Sequence, residues 1–442
     1  MRSIFIGVLR ASIAAAAAVG GVRADDWPQW RGPARDGVWR ETGLVEKFAG
    51  PDVPIVWRVP IGPGYSGPTV YRGLVYVSDR IVEPVQQERV LAFDAATGKP
   101  AWSYTYDCAY ARVGYQAGPR ASVACDDGRA YALGTMGHLF CFDAAKGSIL
   151  WRHDLDAEYK IAMPIWGIAA SPLVEGDLVI IQVGGDRACL VAFDKRTGVE
   201  RWRALDDQAS YAAPIIVEQA GRRVLVCLTG DNVVGLDPAT GAVYWSRDFG
   251  PARMAIGIST PVVERDRLFV TAFYDGSLML KLGDGTADAP APTAEQVWRR
   301  QGVDEKRTDA LHSIIATPLF IGDYVYGVDS YGELRCLDAR TGDRMWEDTT
   351  AVPKARWSNI HMVRNTADAG GDRVWMFNER GELIIARLSP QGYEELSRAH
   401  LLKPTTHQLA QRGGVCWSHP AFAERRVFAR NDEELVCGDL AK

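Results

Sequence analysis

The sequence predicts an all-β protein, an eight-bladed β-propeller of four-stranded antiparallel blades, and three observations predict it. The first is a phrase, small-x-Asp-x-x-(Thr/Lys)-Gly-x-x-x-Trp. It recurs at Asp94/Gly98/Trp102, Asp143/Gly147/Trp151, Asp194/Gly198/Trp202, Asp237/Gly241/Trp245 and Asp338/Gly342/Trp346. The second is its spacing: successive Asp positions lie 49, 51 and 43 residues apart (94 to 143, 143 to 194, 194 to 237). A period of roughly 40–50 residues made of short strands marks propeller blades. The third lies at the two ends. Cys437-x-Asp439 begins a last phrase without a Trp, while Pro54-Ile55-Val56-Trp57-Arg58 offers a lone outer strand. Pairing the N-terminal strand with the C-terminal blade closes the ring and removes free sheet edges.

Three segments follow from this, taken in order. Residues 1–24 read as a signal peptide. Arg2 supplies a positive start, Ile4 to Val19 an apolar run interrupted by Arg10, and Val22-Arg23-Ala24 an end suited to cleavage before Asp25. The run is short and Ala-rich for a membrane span, so the mature chain is expected without one, in the periplasm or secreted. No Cys stands at the cleavage point to carry a lipid anchor. Residues 25–53 form a Trp-rich extension, with Trp27, Trp30 and Trp39. Three indoles in so short a stretch are expected to pack on the propeller, across one face or the channel mouth.

Residues 54–442 are the propeller. Runs such as Ser66-Gly67-Pro68-Thr69-Val70, Ser171-Pro172-Leu173-Val174 and Thr317-Pro318-Leu319-Phe320 are each followed by a Gly or Asp turn and another apolar run. They read as antiparallel strands joined by tight hairpins. Within the phrase, Asp accepts backbone N–H bonds of the turn and Gly takes positive φ. Trp lies on the outer strand, where it stacks between neighbouring blades and contributes about 2–3 kcal/mol by burial. Degenerate copies fill the count. Leu282 to Trp298 is a hairpin lengthened by the insert Ala287 to Pro292, and Leu388, Gly392 and Leu396 keep the spacing with Leu for Asp and Trp. Hairpins near 94, 143, 194, 237, 282, 338, 388 and 439 make eight blades.

Composition excludes some functions. Net charge is −5, so no basic field invites nucleic acid. Of eight Cys, Cys141, Cys336 and Cys437 occupy the small position two residues before the repeat Asp, which is a packing site. Cys108 and Cys125 are the pair most suited to a disulfide. Of the seven His, none shows a metal-binding spacing, although His312, His361 and His419 fall on blades 6 to 8 and could converge on the axis. Gly184-Gly185-Asp186 reads as a blade hairpin, and no nucleophile elbow or phosphate loop stands out.

A site would lie at the channel mouth, where segments lead into each innermost strand. Those segments carry Tyr65, Arg120, Trp166, Tyr211, Ile258, His312, Trp357, Trp417 and His419, with Arg112, Tyr115, Arg356 and Asn359 nearby. Such a collar could stack a planar ligand or sugar, or bind a carboxylate through Arg120 and Arg356. It could equally plug a wide ring with large side chains.

The repeat phrases resemble the PQQ-like, quinoprotein-type propeller repeat over nearly all of Pro54 to Lys442. Trp27-Pro28-Gln29-Trp30-Arg31-Gly32-Pro33, Gly118-Pro119-Arg120-Ala121-Ser122 and Trp166-Gly167-Ile168-Ala169-Ala170-Ser171-Pro172 are similar to an exported bacterial subgroup of that family. The resemblance implies two functional precedents, PQQ-dependent alcohol and glucose dehydrogenases and an outer-membrane-assembly scaffold lipoprotein. The dehydrogenase precedent implies PQQ stacked on a disulfide of adjacent Cys, and Ca²⁺ held by a Glu/Asn/Asp set beside a catalytic Asp. No adjacent Cys pair exists here, and Asp126-Asp127 and Asp206-Asp207 read as turns and loops. The expected function is therefore an exported, monomeric, non-catalytic scaffold binding a small molecule, carbohydrate or protein at the propeller face, with no catalytic or metal-ligating residue assigned. A quinoprotein-like oxidoreductase using PQQ and Ca²⁺ at the collar is the alternative.

Overall fold

Each repeat phrase closes the hairpin between the third and fourth strands of a blade. Asp94 shows the chemistry: its Oδ1 accepts from Thr97 N at 2.8 Å and Thr97 Oγ1 at 2.6 Å, and Gly98 follows at φ 72°. Asp143, Asp194, Asp237 and Asp338 cap their turns through the same oxygen. The later glycines of the series keep the same backbone, Gly241 at φ 74° and Gly342 at φ 79°. The small residue two before the Asp faces the Trp across the strands: Ala92 pairs with Trp102, Cys141 with Trp151, Ala192 with Trp202, Gly235 with Trp245 and Cys336 with Trp346. Room for the indole is why that position stays small.

The computed structural model describes residues 26–286, 290–367 and 373–442. The signal-peptide expectation and part of the Ala287 to Pro292 insert lie outside them. Among the described residues the chain forms eight sheets, each with four antiparallel strands, consistent with the eight-bladed reading. Blade 1 holds Thr69–Tyr71, Leu74–Ile81, Gln87–Asp94 and Pro100–Asp107; blade 2, Ala124–Asp126, Arg129–Leu133, His138–Asp143 and Ile149–Asp154. Blade 3 holds Leu173–Glu175, Leu178–Gly185, Ala188–Asp194 and Glu200–Ala204; blade 4, Ile215–Gln219, Arg222–Leu228, Asn232–Leu236 and Val243–Asp248. Blade 5 holds Val262–Glu264, Arg267–Ala272, Gly276–Gly285 and Pro290–Arg300; blade 6, Leu319–Ile321, Tyr324–Val328, Leu334–Asp338 and Arg344–Asp348. Blade 7 holds Ile360–Asn365, Arg373–Asn378, Glu382–Ser389 and Gly392–His400. Blade 8 joins Ala421–Ala423, Arg426–Arg430 and Glu434–Asp439 to Ile55–Pro60, with Trp57 opposite Cys437, so the ring closes between its two chain ends. No helix of the described residues is long and apolar enough to cross a membrane.

The docking rule is visible at six seams. Trp Nε1 of one blade donates to the carbonyl one residue past the repeat Asp position of the next: Trp57 to Ala95, Trp102 to Ala144, Trp151 to Lys195, Trp202 to Pro238, Trp298 to Ala339 and Trp346 to Ser389, at 2.8–3.2 Å. Where the next blade keeps its repeat Gly, the indole lies flat on it. A Cβ built on Gly98 would stand 2.8 Å from the Trp57 ring, one on Gly147 2.5 Å from Trp102, and one on Gly198 2.8 Å from Trp151. On Gly241 it would stand 2.7 Å from Trp202, and on Gly342 3.1 Å from Trp298. Each glycine thus receives the indole of the preceding blade and not that of its own phrase: Gly241 holds Trp202 rather than Trp245, and Gly342 holds Trp298 rather than Trp346. Gly serves both the turn and the docking surface.

Two seams depart from the rule. Between blades 4 and 5 the lengthened hairpin moves the carbonyl away, and Gln219 relays instead. Its Oε1 accepts from Trp245 Nε1 at 3.2 Å while its Nε2 donates to Gly283 O at 2.7 Å and to Thr293 O. Between blades 7 and 8 Leu396 stands where Trp would, and the N-terminal segment seals the seam. Val53 N and His400 N exchange bonds with His400 O and Pro51 O, and Trp39 packs edge-on to Trp375 and against Phe422.

That segment does not simply lie across a face. Its first part runs inside the ring along the innermost strands, whose short inner edges leave backbone groups to satisfy. Trp27 exchanges both backbone bonds with Val70 of blade 1, and Pro28 O accepts from Cys125 N of blade 2. Arg35 reaches the Ser171 and Pro172 carbonyls of blade 3 and Pro214 O before blade 4, and Val38–Trp39 adds a parallel strand to blade 7. Burial lowers the Arg35 guanidinium to about 9. The disulfide suggestion is corrected: Cys108 and Cys125 are both free and buried in separate clusters, the first with Tyr110 and Val113, the second with Tyr71 and Val123.

Candidate functional site

The segments leading into the innermost strands all emerge on one face, and there they build a cup on the ring axis of about 140 Å³. Its walls include Tyr65, Arg120, Trp166, Tyr211, Ile258, Trp357, Trp417 and His419, together with Tyr115, Ile314, Ile315 and His361. The inserted N-terminal segment contributes Trp30, whose Nε1 donates to Thr260 Oγ1 of blade 5 at 2.8 Å. The Asp, Gly and Trp of the repeat phrase, Gly241 and Gly342 among them, stay at the rim as packing residues, and none lines the cup.

Tyr115 stands amid three indoles. Its ring centroid lies 5.9 Å from Trp166, 5.7 Å from Trp357 and 6.3 Å from Trp417, mostly edge-on. Arg120 holds the Tyr115 loop in place. Its guanidinium donates to Gly118 O at 2.7 Å, Gly114 O at 2.9 Å and Tyr115 O at 2.7 Å, and its face covers the Tyr65 ring at 5.1 Å. Burial pulls Arg120 below the usual guanidinium range. With its N–H groups engaged on carbonyls, Arg120 has little left for a bidentate carboxylate. Arg356 is also committed: it donates to Glu305 at 2.8 Å and lies over the outer side of Trp357 at 4.3 Å. The carboxylate clamp read from sequence is therefore not assembled.

His361 and His419 face one another with ring centroids 5.0 Å apart. His361 Nε2 donates to Trp417 O at 2.8 Å, with Asn359 Nδ2 3.1 Å away, and burial takes its pKa down to about 4. Burial drives His419 well below the ordinary imidazole value as well, so both rings are neutral at pH 7. Behind the wall, Glu379 orients Trp417: Oε2 accepts its indole N–H at 3.0 Å, and Oε1 accepts from Arg412 at 2.5 Å and Ser358 at 3.1 Å. Burial raises the Glu379 carboxyl, opposed by those donors. Two buried polar atoms of cup residues have no protein partner, Trp357 Nε1 and His419 Nε2.

His312 does not reach the cup. Its Nε2 accepts from Gly302 N at 3.0 Å and its Nδ1 meets Phe273 O at 2.9 Å, beside a second depression lined by Arg253, Tyr274 and Glu305. His312, His361 and His419 hence do not converge, and among the described residues no group of three or more His, Cys, Asp or Glu is placed to hold a metal ion. Arg112 is exposed, and Asn359 is buried beneath His361. Sequence reasoning missed Trp30 as part of the cup, Tyr115 as its centre and Glu379 as the support of Trp417. The Trp cluster of the extension hinted at the first; nothing in the repeat points to Glu379.

The residues do not fit PQQ with Ca²⁺. PQQ carries three carboxylates, and Arg120, the one guanidinium that the described residues bring to the cup, is already engaged. Among the described residues no Asp or Glu lines the cup to supply the oxygen ligands that Ca²⁺ takes, and no two Cys are adjacent.

Eight blades locked by docking indoles and closed between chain ends define a PQQ-type propeller. Residues 86–348 and 288–442 match the family model described as "Outer membrane protein assembly factor BamB", and the chain belongs to that family. It is 23% identical over 278 residues to the outer membrane protein assembly factor BamB of Yersinia pestis, covering 62% of this chain and 64% of that one. It is 31% identical over 162 residues to a 1-butanol dehydrogenase (quinone) of Thauera butanivorans, covering 34% of this chain and 25% of the enzyme. The chain thus spans less than two thirds of either relative. Among solved structures, BamB from Moraxella catarrhalis superposes with a TM-score of 0.57 at 17% identity, covering 88% of this chain and 97% of that one. The quinohemoprotein alcohol dehydrogenase of Comamonas testosteroni gives 0.60 at 15% identity, covering 94% and 81%. At such identities the structures share the fold alone.

Proposed function

We propose that the protein is an exported, non-catalytic scaffold, periplasmic or secreted and monomeric, that holds a protein partner at the axial cup. One observation carries this reading: the cup's guanidinium and the groups bonded around Trp417 hold the wall together instead of facing a reacting centre. Arg120 clamps the Tyr115 loop, His361 supports Trp417 through its carbonyl, and Glu379 sits behind that indole. A general acid or base must reach the proton that it moves, and none of these groups is free to do so. An apolar, aromatic surface is instead what a partner's buried anchor needs. Membership of the assembly-factor family, and the similarity to the Yersinia assembly factor, support a protein as the occupant ahead of a carbohydrate or another small molecule. Quinoprotein-like oxidation is the competing reading, supported by the short butanol dehydrogenase match and opposed by the donor set.

Two titrations of the purified mature chain separate them. A urea-denatured outer-membrane β-barrel polypeptide, diluted into the protein, is expected to be held soluble and to crosslink at the cup face. PQQ with Ca²⁺ is expected to give neither saturable Trp quenching nor dye-linked oxidation of ethanol or butanol. Turnover with PQQ, or failure to engage the polypeptide, overturns the scaffold reading.

A further inference from the structure

We propose that Tyr115 is the lid of the axial cup: its side chain closes the mouth and swings outward about its Cα–Cβ bond to admit the partner's anchor. The proposal rests on the reading of the cup as a protein-binding site and names how entry to that site is controlled.

Depth in the cup follows from how far each lining residue stands ahead of the first strand of its blade. The wall is built four residues ahead: Tyr65 before Thr69, Arg120 before Ala124, Tyr211 before Ile215 and Trp417 before Ala421. The floor lies deeper. There Trp30 of the inserted segment bonds Thr260, two residues before Val262, and its ring lies 4.8 Å from that of His419, two residues before Ala421. Tyr115 stands nine residues before Ala124, further out along its loop than any of these. Its ring nevertheless lies on the axis. Blades 3 and 7 face each other across a ring of eight, and Tyr115 touches the indole ahead of each, Trp166 at 5.9 Å and Trp357 at 5.7 Å. It also reaches Trp417, ahead of blade 8. A half-buried ring on the axis, outward of the wall, covers the opening.

The loop is fixed, but the side chain is not. Arg120 donates to Gly114 O, Tyr115 O and Gly118 O, and Gly114 N donates to Ile165 O at 2.7 Å. These bonds hold Tyr115 at φ 52°, a left-handed backbone that tyrosine seldom takes and that persists only where the surroundings impose it. The side chain makes no hydrogen bond among the described residues and is held by ring contacts alone. Those contacts are edge-on or tilted, as aromatic pairs prefer, so the closed position is the resting one. Rotation between staggered positions of one bond breaks no hydrogen bond and carries the ring to solvent. The ring can then close again over a group small enough to fit beneath it. A lid of this kind slows entry and release together and leaves affinity little changed, whereas a wall residue acts mainly on release.

The test is fluorine NMR exchange with fluorobenzene and the mature protein. This probe suits a cup of about 140 Å³, since roughly 150 Å³ holds one benzene in an apolar interior. Tyr115→Ala is expected to speed both entry and release at least about tenfold while the Kd changes less than about threefold. Should the alanine variant prove unstable, Tyr115→Leu, a partial cover, is expected to raise both rates at least about threefold. Tyr115→Phe, which keeps the ring, is expected to restore both rates to within about twofold of the parent. Unchanged rates on losing the ring, faster release with entry unchanged (the mark of a wall residue), or no bound fluorobenzene in parent and variant alike overturns the proposal. So does a Tyr115→Phe chain that exchanges as fast as Tyr115→Ala. The denatured β-barrel polypeptide is titrated in parallel. If it engages the parent while the exchange rates ignore Tyr115, the lid falls and the scaffold reading stands. If the rates respond as expected but the polypeptide is not engaged, the scaffold reading falls and Tyr115 still gates the cup.

Discussion

The rim of the propeller and its axis are built on opposite principles. At the rim one device is repeated: a docked indole with its N–H on the next blade's carbonyl, at six of eight seams. At the axis no single side chain recurs around the whole ring. Blade 1 is preceded by Tyr65, blade 2 by Arg120, blade 3 by Trp166, blade 4 by Tyr211, blade 7 by Trp357 and blade 8 by Trp417. Repetition serves a task that is the same at every seam, namely holding neighbours in register. Departure from repetition marks where the task differs. The two irregular seams carry the lesson further, because each has acquired a substitute for the missing contact: the Gln219 relay at one, the N-terminal segment with Trp39 at the other.

Four measurements would break or sharpen this contrast. The largest effect belongs to the rim. Trp151→Ala removes a buried indole, its bond to Lys195 O and its stacking on Gly198. It is expected to cost about 3–5 kcal/mol, read as a lower urea midpoint; a loss below about 1 kcal/mol would deny the docking rule. Next comes an axial effect that depends on pH. His361 has a folded pKa near 4 against 6.5 when unfolded. Above pH 6.5 it is neutral in both states and contributes nothing. As pH falls from 6.5 to 4 the unfolded chain takes up a proton that the folded one refuses, so stability declines, by about 3 kcal/mol at pH 4. His361→Phe is expected to flatten that part of the pH profile relative to the parent chain; an unchanged slope contradicts the burial argument. Third, Gln219→Leu leaves Trp245 Nε1 and the Gly283 and Thr293 carbonyls unpaired, and about 2 kcal/mol is expected to be lost in thermal unfolding. The same change would be silent if the relay were incidental. The smallest is Asp94→Ala, which removes two turn bonds at an exposed hairpin and is expected to cost about 1 kcal/mol, with the Trp57 seam otherwise intact.

The sequence by itself determined the blade count, the hairpin chemistry and the closure of the ring. Each depends on residues close in the chain, or on a spacing repeated often enough to read: Asp94 to Trp102 is one local hairpin, and seeing it five times leaves one architecture. It also placed Tyr65, Arg120, Trp166, Tyr211, Trp357, Trp417 and His419 at the mouth, because a segment's position within its repeat fixes which end of the barrel it occupies. Tertiary structure alone decided what those residues do there. It also decided which indole each repeat glycine receives, since Gly241 and Gly342 meet rings from the blade before their own. Arg120 and Arg356 look like ligand donors in one dimension, and only folding shows them bonded to the Tyr115 loop and to Glu305. His312 shares the position of the others but turns into a neighbouring depression. Trp30 reaches Thr260 across 230 residues of chain, and Glu379 meets Trp417 across 38. Periodicity reports contacts that recur; a contact made once, between distant segments, leaves no period to read and is settled only by how the finished ring packs.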